Sequence, residues 1–213
     1  MASLVKILCL LSALTATSSA LSCTVCASAT SSSCSGNSIT CPSGSSCGST
    51  YTVAKSGGTT AVSLIRACTL TSQCSFNGSI SMVQATIKTG ISCCDTDNCT
   101  PILPTVPTPS SNSNGVTCRS CITADSTWCY TSDTIQCTGD ENMCLLQSTE
   151  ISGELSTAIR GCSTKSFCDL GSQSTSVGGV TTNVKFICTS GGMTVHKVLF
   201  TPVIVCLLLL KVF

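Results

Sequence analysis

The chain has 213 residues, among them twenty cysteines and one histidine, with 9% charged residues and a formal net charge of +1. Cysteine at this density excludes a reduced cytosolic setting and points to a disulfide framework made in an oxidising compartment. A near-neutral chain with no basic run also excludes nucleic acid as a partner.

Residues 1–20 read as a secretory signal peptide. Lys6 precedes the apolar run Ile7-Leu8-Cys9-Leu10-Leu11, too short to span a bilayer, and Ser18-Ser19-Ala20 supplies small residues for a cut after Ala20. Cys9 is lost with it.

A first cysteine ladder fills residues 21–100: Cys23-x2-Cys26-x7-Cys34-x6-Cys41-x5-Cys47-x20-Cys68-x5-Cys74-x18-Cys93-Cys94-x4-Cys99. Strands and hairpins are expected between the rungs. Val62, Leu64 and Ile65 follow the turn signal Lys55-Ser56-Gly57-Gly58, and Val83-Gln84-Ala85-Thr86-Ile87 alternates with period two. No segment carries a sustained helical stripe. Asn77-Gly78-Ser79 is a glycosylation sequon in a glycine-containing loop. Asn98-Cys99-Thr100 fits the same pattern, but a bridged central cysteine disfavours its use.

Residues 101–117 form a Pro/Ser/Thr-rich linker. Four of the six prolines fall within 100–115, which holds no charge. Proline at that density favours extended polyproline geometry, so a semi-rigid spacer between domains is expected. Its hydroxyls are open to O-glycosylation.

A second ladder fills residues 118–190: Cys118-x2-Cys121-x7-Cys129-x7-Cys137-x6-Cys144-x17-Cys162-x5-Cys168-x19-Cys188. Its spacings repeat the first, and Ile159-Arg160-Gly161-Cys162-Ser163 repeats Ile65-Arg66-Ala67-Cys68-Thr69. This is a tandem duplication. The second ladder stops at its eighth rung yet stays even, so the dispensable unit is most simply one disulfide, Cys94–Cys99. Val184-Lys185-Phe186 follows the turn signal Gly178-Gly179. Trp128 and Tyr130 flank Cys129 and read equally as a binding anchor and as filler for a small core. The acidic pairs Asp140-Glu141 and Glu150…Glu154 read as solvated loop faces. Cores of domains this small are thin, and disulfides worth about 2–4 kcal/mol each would compensate.

Residues 191–213 read as a GPI-attachment propeptide. Ser190-Gly191-Gly192 supplies small residues, Met193–Lys197 a short spacer, and Val198–Phe213 a sixteen-residue apolar tail broken by Thr201, Pro202 and Lys211. A spanning helix needs about 20 residues. Ser190 is the first-choice attachment residue, with Gly191 and Gly192 next. The alternative is a short single-pass helix with Lys211 snorkelling to the interface. Either reading puts this terminus at a membrane.

Residues 21–190 keep eighteen cysteines, no histidine, and seven basic against nine acidic residues, a net charge of −2. Triad-type catalysis has no base to use. The Cys-x2-Cys pairs are read as structural, not as zinc ligands or a redox dithiol. No cofactor, metal site or enzyme is expected.

The opening Cys-x2-Cys, the sixth and seventh cysteines five residues apart, and the closing Cys93-Cys94-Asp95-Thr96-Asp97-Asn98-Cys99 resemble the Ly6/urokinase-receptor family, in two copies. The resemblance implies an all-β, disulfide-rich fold of two tandem three-finger, snake-toxin-like domains. It implies the pairs Cys23–Cys47, Cys26–Cys34, Cys41–Cys68, Cys74–Cys93 and Cys94–Cys99. In the second copy it implies Cys118–Cys144, Cys121–Cys129, Cys137–Cys162 and Cys168–Cys188. Two departures stand out. Thr100 occupies the place after the last cysteine where the family puts an asparagine, and the second copy lacks the final pair. A loosely held C-terminal strand and a less stable second domain are therefore expected.

The implied function is that of a non-enzymatic, GPI-anchored protein on the outer face of the plasma membrane. It would bind an extracellular protein ligand through its finger loops, with Trp128 and Tyr130 as candidate contacts. The alternative is a secreted phospholipase A2 inhibitor of the gamma type, which would need no hydrophobic tail. A toxin-like modulator of nicotinic receptors is a third, weaker idea that nothing in the loops points to.

Overall fold

The computed structural model describes residues 20–152, 156–177 and 179–190. The expected signal peptide apart from Ala20, Glu154 of the second acidic pair, Gly178 of the turn signal, the attachment candidates Gly191 and Gly192, and the hydrophobic tail lie outside the described residues.

The first domain contains β1 (Ser22–Ser28), β2 (Asn37–Thr40), β3 (Ser45–Ser56), β4 (Thr59–Leu70), β5 (Asn77–Ser81) and β6 (Ala85–Cys94). The second contains β7 (Ser113–Arg119), β8 (Cys121–Thr123), β9 (Thr134–Thr138), β10 (Met143–Ile151), β11 (Ser156–Ser163), β12 (Ser172–Val177) and β13 (Val180–Ser190). A 3-10 turn at Thr71–Gln73 and a five-residue helix, α1 (Lys165–Asp169), are the only helical pieces among the described residues. The all-β, disulfide-rich class expected from the sequence is the class observed.

Local chemistry accounts for the fingers. β3 and β4 pair from Ser45↔Leu70 out to Ser56↔Thr59, leaving Gly57 and Gly58 as a two-residue turn with φ of 55° and 84°. A primed turn of this kind needs two positive φ values, which glycine supplies without strain. β12 and β13 pair up to Val177↔Val180, with Gly179 at φ 85°. At each palm, disulfides replace a large apolar core. Cys23–Cys47, Cys41–Cys68 and Cys94–Cys99 cluster in the first domain, and Cys118–Cys144 and Cys137–Cys162 in the second. Cys26–Cys34, Cys74–Cys93, Cys121–Cys129 and Cys168–Cys188 complete the nine. These are the pairs the family resemblance implies, and every one lies within a single domain.

The two domains share one sheet. Eleven strands run β12-β13-β10-β11-β5-β6-β3-β4-β1-β2, with β8 also on β11, while β7 and β9 form a separate pair. The join is β5 against β11, antiparallel, with Ser81↔Cys162 and Ile80↔Ser163. This register sets the shape. Ser81 is at the tip of the third finger of the first domain, and Cys162 is at the palm of the second. Since the strands are antiparallel, the second domain continues past the fingertips of the first in the same direction. Ser190, paired with Met143 at the same palm, therefore leaves the molecule near the middle of its long axis.

Three expectations are corrected. Residues 101–117 do not act as a spacer, because the chain folds back along the first domain. Pro101 and Pro104 are buried. Thr105 O accepts from Asn77 Nδ2 at 3.2 Å, Pro107 O accepts from Lys88 Nζ at 2.8 Å, and Ile102 O accepts from Ser92 Oγ. Prolines donate no N–H, but their segment is rich in free carbonyls, and the domain's side chains use them. The second domain's first strand already begins at Ser113, inside the expected linker. Finally, the C-terminal strand is not loosely held: β13 pairs with β10 from Thr182 through Ser190.

Candidate functional site: the domain junction and the outer face of the second domain

The junction owns the largest apolar cluster among the described residues. Ile80 and Met82 from the first domain bury against Leu145 and Phe167 from the second, with Phe76, Ile87, Ile159 and Phe186 packed around them. Phe167 sits at the centre. Its ring meets Phe76 edge-on at 5.0 Å and Phe186 at 5.9 Å, a favourable aromatic geometry. Helix α1 delivers Phe167 there because Thr164, just before it, donates its N–H to Ser79 O and accepts from Ser79 N–H through Oγ1.

Glycines permit this closeness. A Cβ on Gly161 would lie 2.1 Å from Ser81 O, and one on Gly78 2.6 Å from Ser166 Oγ. Gly161 is therefore required by the partner domain's backbone, whereas a side chain at Gly78 would have to displace the Ser166 hydroxyl and the Phe167 ring.

Beside the cluster lies a buried acid. Glu141, only 6% exposed, accepts hydrogen bonds on Oε1 from Ser79 Oγ at 2.6 Å and Ser81 Oγ at 2.8 Å. Its Oε2 is buried without a partner. The expectation of a solvated acidic face at Asp140-Glu141 is corrected at Glu141, which belongs to the join. It borders an interdomain cavity of about 1050 Å³ that Lys55, Lys88, Asn77 and Pro107 also line. Burial pushes the pKa of Lys88 down, and the negative charge of Glu141 partly offsets that.

The sequon is built into this junction. Asn77 is exposed, but Gly78 and Ser79 are buried under the second domain, and the hydroxyl of Ser79 is committed to Glu141. A transferase needs that hydroxyl and an accessible backbone, so any glycosylation of Asn77 would have to precede docking of the domains. Occupancy of Asn77, read by peptide mass spectrometry, is expected to rise when the first domain is expressed alone. Equal occupancy with and without the second domain counts against the occlusion. Asn98 has a structural role: it adopts φ 54°, donates its N–H to Ser22 O at 2.7 Å and accepts from Ser38 Oγ, tying the end of the first domain to β1 and β2.

The second region is the outer face of β10, β11 and β13. Trp128 is 42% exposed and Tyr130 89%. Their rings lie 5.9 Å apart, and the Arg160 guanidinium stacks 4.2 Å over Trp128, within cation–π range. A groove of about 370 Å³ is bounded by Arg119, Trp128, Leu146, Arg160, Ile187 and Thr189. Trp128 is thus not the core filler, since Phe167 has that role. Ser190 is exposed at the end of β13. The close sets Cys23/Cys41/Cys68 and Cys118/Cys137/Cys162 consist of sulfurs already bonded as disulfides, so they have no thiolate to give a metal.

A family model described as the u-PAR/Ly-6 domain matches the chain twice, over residues 19–101 and 114–194. The chain belongs to the u-PAR/Ly-6 family. Among solved structures it is similar to the crystal structure of mouse TEX101, at 19% identity over 79% of this chain and 99% of that one, with a TM-score of 0.34. No curated protein sequence matches it. u-PAR/Ly-6 proteins are generally non-enzymatic binding proteins of the cell surface or extracellular space. Among the described residues no helix is long and apolar enough to cross a membrane.

Proposed function

We propose that this u-PAR/Ly-6 protein is held on the outer face of the plasma membrane by a GPI lipid at Ser190 and binds an extracellular protein ligand through its fingers. The observation that carries the reading is the end of β13. The strand stays paired to Ser190, which is exposed, and the sequence then supplies Gly191-Gly192, a polar spacer and the apolar run Val198–Phe213. That is the order a GPI signal requires. The shared sheet favours binding over catalysis, because it presents the hairpin tips of both domains from one framework, with no histidine between residues 21 and 190 to serve as a base.

Phosphatidylinositol-specific phospholipase C applied to cells displaying the protein should release it into the medium. Substituting Ser190, Gly191 and Gly192 together by bulky residues should abolish surface display. Retention on the cell after lipase treatment would sink the anchor in favour of a single-pass helix. Binding of the released protein to candidate ligand-bearing cells should fall when the Lys55–Gly58 tip is replaced and survive changes at the palm.

A further inference from the structure

The outer face of the second domain is chemically mixed in a particular way. Strand pairing aligns Arg160, Leu146 and Ile187 in one row across β11, β10 and β13. Lys185 and Thr189 share that face of β13 with Ile187, since side chains alternate along a strand. The opposite face, with Leu145, Ile159 and Phe186, is packed in the junction. Trp128 lies against Arg160 in this row, Tyr130 stands beside Trp128 at 5.9 Å, and Ile187 is 53% exposed. The surface therefore offers amphipathic rings, one bare aliphatic side chain and three cations, Arg119, Arg160 and Lys185, against one anion on the same face, Glu150 toward the fingertip end of β10.

The position of the face says what covers it. Thr189 lines the same groove as Trp128, so the chain departs toward the membrane from the edge of this surface. It departs near mid-length, and a body held at its middle lies along the surface it is held to. We infer that the outer face of the second domain rests on the headgroup layer of the bilayer. Trp128 and Tyr130 are the interfacial anchors, and Arg119, Arg160 and Lys185 face the lipid phosphates. Rings with an apolar body and a polar tip favour that layer, and the guanidinium fork suits phosphate. The inference rests on the reading that the C-terminal tail is at a membrane, and holds for a lipid anchor and a short helix alike. It also withdraws Trp128 and Tyr130 from the candidate contacts for a protein ligand.

Trp128 is the only tryptophan of the chain, so intrinsic fluorescence reports this surface alone. Residues 21–190, which carry all nine disulfides, would be tethered by a histidine tag after Ser190 to phosphatidylcholine vesicles containing nickel-chelating lipid and lipid brominated near the headgroup. On tethering, Trp128 emission is expected to shift to the blue and lose roughly half its intensity, as a ring entering the interface would. Ile187→Glu and Tyr130→Asp, both at exposed positions, should abolish the change while leaving the non-reducing melting curve as it was. Unchanged emission on tethering, or the same change in both variants, overturns the inference. The tag replaces the natural tail, so failure of lipase release on cells would leave this result standing.

Discussion

Replacing Gly161 by alanine is expected to part the two domains while leaving each folded. The new Cβ would meet Ser81 O at 2.1 Å. That oxygen is backbone held in the β5–β6 ladder, so no rotamer change relieves the clash. The cost is about 1–3 kcal/mol, as for other overpacked sites, and it falls on the strand pairing of the join, which is only two residues long on each side and holds the Phe167 cluster and the Glu141 hydrogen bonds in register. The first copy supplies the internal control, because Ala67 holds the equivalent place and that domain closes normally. Small-angle scattering should show a larger radius of gyration, and a single thermal transition should become two. Ala67→Gly should change neither. An unaltered radius with one transition for Gly161→Ala would show that the join tolerates the methyl group and that the glycine is incidental.

Phe167→Ala is expected to cost about 3–5 kcal/mol, the range for deleting a large buried ring. Its distribution is the informative part. Phe167 touches Phe76 in one domain and Phe186 in the other, so both should melt lower and hydrogen exchange should quicken in β5 as well as β13. Trp128→Ala should cost much less, because that ring is already 42% exposed and its removal opens the Arg160 guanidinium beneath it to water. If Phe167→Ala destabilises only the second domain, the shared core is not a thermodynamic unit.

These two expectations concern the part of the molecule that was least legible in the sequence. Hairpin tips could be read directly: Gly57-Gly58 and Gly178-Gly179 are short-range signals, and a turn needs nothing beyond its own residues. The cysteine ladders could be read because spacing survives duplication. The junction could not. Glu141 sits in a polar run, Asp140-Glu141-Asn142, and looks solvated; its partners Ser79 and Ser81 are some sixty residues earlier. Prolines in the connecting segment announce an extended backbone correctly, but composition does not say what that backbone lies along. A signal for the join was nevertheless present. Within the repeated Ile-Arg-x-Cys, Gly161 stands where the first copy has Ala67, and loss of a side chain at one of two equivalent positions marks a place where something else comes close.

The same asymmetry decides whether the molecule can grow. The junction joins a fingertip of one domain to the palm of the next by a shift along the strands, a head-to-tail contact that runs on as an open array wherever its rotation does not close a ring. Repeated between chains in that way, it would add copies without end. The parts needed for another round are on hand: β12 occupies the end of the sheet, the place in the second domain that β5 holds in the first, and β4 is the first domain's counterpart of β11. Each is disarmed. Ala67 puts a methyl group where Gly161 gives access. Counting from the seventh cysteine, Ser172 stands where Gly78 clears the way, and Ser174 where Ile80 supplies the apolar contact. An exposed strand edge is a template for unwanted pairing, and here three small substitutions turn a joint that could make a filament into one that is used once.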